Sequence, residues 1–145
     1  MTRPVSAPLA SIVLVIARFV LGGILIGHGM QKATGFARVI EDFTAMGIPM
    51  PEVAAAVAMT VELVGGTAIL AGLATTIAGL VVATTMAGAV VFVHSPTTMF
   101  VTDDGWELVG AIAVGALALT ATGPGRYSIE TLLAARHHTP LTQKS

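Results

Sequence analysis

Five ionisable residues stand inside or at the ends of long apolar runs: Arg18, His28, Glu62, His94 and Glu107. Arg18 and Glu62 each fall near the middle of a run. An unpaired arginine at a bilayer centre costs at least about 2.5 kcal/mol even on lenient scales. Opposite charges at similar depth on successive helices predict a buried Arg18–Glu62 ion pair. Such a pair either fixes helix register or lines a path for protons or a polar ligand. His28, His94 and Glu107 fall at run ends instead. Two histidines and a carboxylate could bind a metal. They could equally hold a quinone head group, with histidine donating to a carbonyl oxygen and the carboxylate moving the proton. The plain alternative is that helix ends meet water and carry polar residues for that reason. No HxxxH or HExxH spacing occurs, so no metal site is expected.

The elements that must position these residues follow from composition. The 145 residues suit one domain. They are 54% hydrophobic and 10% charged, with a mean hydropathy of +0.87. Soluble domains carry about 25% charged residues, so the chain belongs to the membrane class. A net charge of −1 offers no basic field for nucleic acid. The absence of cysteine excludes disulfides, thiol nucleophiles and cysteine-held iron–sulfur clusters on this chain. Any electrons must be carried by a cofactor or a partner.

Four stretches approach the roughly 20 apolar residues of a span: residues 9–30, 53–70, 75–94 and 106–122. In lipid each must be a helix, because nothing else satisfies its backbone. The expected fold is an all-α integral membrane bundle of four transmembrane helices. The first run reads as a span and not a cleaved signal: it is too long, and Arg18 interrupts it. "AGLATT" joins the second and third spans in a tight antiparallel hairpin. Arg3, Arg126, Arg136 and Lys144 share one side, against Lys32 and Arg38 on the other. That bias favours cytoplasmic termini in a plasma (inner) membrane. His28, His94 and Glu107 then share the outer side. Lys32 and Trp106 read as interfacial anchors there, and Tyr127 as the inner one.

Between the first two spans, Phe36, Val39, Ile40, Phe43 and Met46 recur at helical spacing, opposite Arg38, Glu41 and Asp42. This predicts a short amphipathic helix in the interface, stopped by Gly47 with Pro49 and Pro51 beyond. Gly22, Gly65 and Gly66 would let helices close around the ion pair. The four-residue spacings Gly23–Gly27 and Ala111–Gly115 also suit close helix packing. Gly123 and Pro124 end the fourth span, and Ser128 caps a short helix with Glu130 in its first turn. Residues 1–136 read as one membrane domain and 137–145 as a disordered cytoplasmic tail.

The pieces "RFVLGGILIGHGMQK", "FTAMGIPMP", "VELVGGTAILAGLAT" and "GPGRYSIE", in this order and spacing, resemble the DoxX family of small bacterial membrane proteins. With His94 and Glu107 they run from about Arg18 to Glu130. The resemblance implies an inner-membrane protein of four helices. It also implies association with redox systems: a thiosulfate:quinone oxidoreductase or quinol oxidase subunit in some members. In others it is an oxidoreductase complex with a sulfurtransferase and a superoxide dismutase. Three functions are carried forward. The first is a quinone-linked redox subunit whose pocket is contacted by His28, His94 and Glu107. The second is a non-enzymatic partner of other membrane or redox proteins. The third is a conduit for protons or small acids.

Overall fold

A computed structural model describes residues 6–94 and 97–137. Helix α1 spans Ala7–Thr34, α2 Phe36–Ala45, α3 Pro51–Ala71, α4 Thr75–Phe92, α5 Glu107–Thr122 and α6 Ile129–His137. No β-strand occurs among the described residues. Pro8 sits in the first turn of α1 and Pro51 opens α3, where a missing N–H costs nothing. Within α3, Val61–Gly65 widens into a π-helical turn. The tail expected over 137–145 lies outside the described residues from 138 onward.

Three helices, α1, α3 and α4, are long and apolar enough to cross a membrane. The stretch expected as a fourth span forms α5, an apolar helix of 16 residues. At 1.5 Å per residue it is about 24 Å long, short of a hydrocarbon core of about 30 Å. Apolar residues cover all sides of these helices. On α1, Leu21 and Leu25 are buried while Ile12, Ile16, Phe19 and Val20 are exposed. That all-round pattern belongs to helices solvated by lipid. The core gathers Leu25, Ile69, Val82, Met86, Ile112 and Leu119 from all four helices.

Close crossings hold this core. A Cβ on Gly22 would lie 2.7 Å from the Gly66 carbonyl oxygen, and one on Gly29 would lie 2.7 Å from Leu63 Cγ. On α4, a Cβ on Gly79 would lie 2.7 Å from the Ala116 carbonyl oxygen of α5. The Gly23–Gly27 spacing works differently from expectation. Nothing lies within 4 Å of a Cβ at either glycine, because both face outward. The chosen face of α1 is Gly22–Gly29, seven residues apart, which keeps two small residues on one side of the helix. Ala111 is exposed, and Gly115 makes only ordinary contact with Leu21.

The expected turns form. Gly72 has φ +67°, and the Gly72 and Leu73 N–H groups donate to the Ile69 and Ala68 carbonyls, closing the end of α3. Gly47 ends α2 in the same way, with Ile48 N–H donating to Phe43 O. Ser128 Oγ accepts from the Thr131 N–H at 3.1 Å, the N-cap bond of α6.

Candidate functional site

The first and second spans are antiparallel, and every side chain on a helix leans toward that helix's N-terminus. This rule decides the ion pairs. Lys32, near the end of α1, leans back along α1, while Glu62 leans up α3 toward it. Lys32 Nζ lies 2.7 Å from both Glu62 oxygens. The Lys32 and Glu62 side chains keep 22% and 7% of their exposure. Lys32 is thus the partner of Glu62 and not a free interfacial anchor.

The expected Arg18–Glu62 pair does not form. Gly29 packs beside Leu63, which sets Glu62 about eleven residues, or roughly 16 Å, above Arg18 along α1. Their side chains also lean in opposite directions. Arg18, only 2% exposed, leans to the other end of the molecule. Its guanidinium donates to the Pro124 carbonyl at 2.6 Å and the Tyr127 carbonyl at 2.5 Å. It fills the space where a Gly72 side chain would be. Arg18 therefore ties α1 to the turn after α3 and to the loop after α5. Two neutral carbonyl dipoles take the place of a counter-ion.

The Lys32–Glu62 pair opens onto a cavity of about 510 Å³. His28 and His94 line the same cavity, so its ionisable groups come from α1, from α3 and from just beyond α4, with the Thr85 hydroxyl of α4 beside them. Leu25, Met86, Phe92, Val109 and Ile112 make the rest of the wall apolar. Glu62 belongs to the π-helical turn of α3. Such turns occur often at functional sites. Phe43 and Ile48, from α2 and the loop after it, also line the space. The amphipathic helix thus roofs the cavity, with Phe43 buried beneath it.

Glu107 is not in this wall. It begins α5, leans toward the preceding loop, and accepts the Val101 N–H at 2.9 Å. Its own N–H donates to Met99 O at 2.9 Å. Its role in the structure is to pin the loop whose Val101 side chain lines the cavity. Trp106 precedes α5 and lays its ring over Gly110. Among the described residues no cluster of three His, Asp or Glu side chains could hold a metal. Sequence reasoning missed Lys32. The usable signals were its place in the last turn of a 28-residue helix and the lean of side chains on antiparallel neighbours.

An all-α membrane protein with a partly polar cavity among its helices is the class that these features define. The chain belongs to the DoxX family, whose pattern it matches over residues 13–95. It is also similar to the protein named "Putative oxidoreductase CatD" of Bacillus subtilis (strain 168), with 37% identity over 76 residues. That stretch is 52% of this chain and 55% of the relative, so the chain spans about half the length of the protein it matches. No solved structure matches.

Proposed function

We propose that this chain is a redox-linked membrane subunit that holds a quinone-type head group in the cavity. The carrying observation is a Lys32–Glu62 ion pair set in apolar walls beside two histidines. Lys32 offers N–H donors to a carbonyl oxygen, Glu62 accepts from a hydroxyl, and the His28 and His94 imidazoles can pass a proton to or from the head group. The family and the oxidoreductase name of the relative support a redox setting. With no cysteine in the chain, electrons come from a partner or a bound cofactor. In this reading α5 completes a four-span bundle in the plasma membrane, the termini are cytoplasmic, and the cavity lies in the outer half. The test is to purify the protein from membranes, extract and identify bound quinone, and measure the thermal shift on adding decylubiquinone. Bound quinone or a rise in melting temperature is expected. The absence of both would overturn the reading.

A second reading is a non-enzymatic partner that recruits redox proteins. The absence of cysteine, and so of any thiol redox centre on this chain, favours it. Capture of the same membrane complex by wild type and by Lys32→Met/Glu62→Leu would support it.

A further inference from the structure

The walls of the cavity are unequally closed. At its His28 end, α2 covers it with buried Phe43 and with Ile48. The Val101 turn beside them is held by Glu107 through both its carboxylate and its N–H. Between α3 and α4 the situation differs. The π turn and the Gly66–Ala71 end of α3 pack on α4, but the Pro51–Thr60 stretch of α3 has no comparable packing against it. The two helices part toward the cavity end. Val57 and Phe92 edge this gap, are 52% and 59% exposed, and line the cavity as well. Gly88 lies on the same wall, and a Cβ there would meet nothing within 4 Å.

We propose that this gap is a lateral portal, through which the cavity is loaded from the bilayer and not from water. The occupant it fits is a lipid-dissolved amphiphile with a carbonyl head and a long apolar tail. The head reaches Lys32 and Glu62, and the tail stays between Val57 and Phe92 in contact with lipid. A hydrated, charged solute would have to shed its water against those apolar edges, where the uncharged Thr85 hydroxyl, already donating to Val81 O, is poor compensation. A tailed amphiphile gives up little, because its chain leaves one apolar environment for another. The nature of the head group rests on the quinone reading above, and the route does not.

The chain has no cysteine, so one introduced thiol is a unique labelling site. Gly88→Cys places a nitroxide at the portal, where the open space accepts a side chain. Val114→Cys is the control, 68% exposed on α5 and outside the cavity wall. Both are studied in lipid nanodiscs by power saturation with oxygen and with a water-soluble nickel chelate, before and after adding decylubiquinone. Oxygen is expected to dominate at both positions, and decylubiquinone to immobilise the Gly88 label alone. Dominance of the nickel chelate at Gly88 would overturn the lateral route. Oxygen dominance with a Gly88 label unmoved by decylubiquinone would support the route and overturn the quinone head group. Equal immobilisation at Val114 would show bulk partitioning into lipid and overturn the site.

Discussion

Removing one member of the Lys32–Glu62 pair strands the other in an apolar cavity, and the size of that effect can be worked out. Breaking a buried ion pair costs roughly 3–5 kcal/mol. Glu62→Leu leaves Lys32, whose side chain keeps 22% exposure, so its ammonium can still find water. The loss should fall near about 3 kcal/mol. Lys32→Met leaves Glu62 at 7% exposure and should fall nearer about 5 kcal/mol. The double change Lys32→Met/Glu62→Leu removes both charges. Apolar replacement of a buried pair is often neutral or stabilising by about 1–4 kcal/mol. The two single losses therefore should not add. By contrast, Arg18→Met and Glu62→Leu should add within about 0.5 kcal/mol, because the sites share no partner and lie well beyond contact distance. Denaturant unfolding in a defined detergent, with all singles and both doubles, reads these cycles. Additivity at Lys32 and Glu62, or strong coupling between Arg18 and Glu62, would refute the side-chain-lean argument.

Arg18→Met should remove the guanidinium bonds to the Pro124 and Tyr127 carbonyls, at about 1.5–3 kcal/mol for each bond from a charged donor. It should also loosen the loop around exposed Arg126, and faster tryptic cleavage there is the readout. Gly22→Val should destabilise strongly, since even a Cβ would lie 2.7 Å from Gly66 O. Gly23→Ala, facing open space, should melt at or above the wild-type temperature by circular dichroism. Glu107→Ala, which loosens a wall without removing a lining side chain, should diminish the thermal shift with decylubiquinone less than His28→Ala and His94→Ala do. Ser128→Ala should cost about 1 kcal/mol through loss of the α6 cap, visible as a lower unfolding midpoint.

The helices could be read from hydropathy because lipid imposes one rule on every residue that faces it. Thus residues 9–30 prefigure α1, and the Phe36–Phe43 spacing prefigures α2. The caps at Ser128 and Gly47 were legible as well, since both act through their own local chemistry. The pairings were not. Counting residues sets the depth of a Cα, whereas a lysine or arginine head group lies about a turn away, on a side fixed by helix direction. The partners of Arg18 were hidden for another reason. They are carbonyls, which every residue carries, so no residue type marks them. Glu107 looked like a ligand because its depth matched that of His28 and His94. Its position at the first turn of α5 turned it toward the loop instead.

The two cations of α1 also differ in when their partners exist. Lys32 meets Glu62 only 30 residues later in the chain. Arg18 waits for carbonyls 106 and 109 residues downstream. At a synthesis rate of about 5–20 residues per second, that wait lasts roughly 5–20 s. During it, the first helix carries a guanidinium whose folded-state partners have not been made. Assembly is therefore staged: α1 and α3 can lock at the cavity end early, and the opposite end closes only when the segment after α5 emerges. Chains stopped before Pro124 would lack the closure at Arg18. The last few loop residues to be made thus act as a completion signal for the first helix.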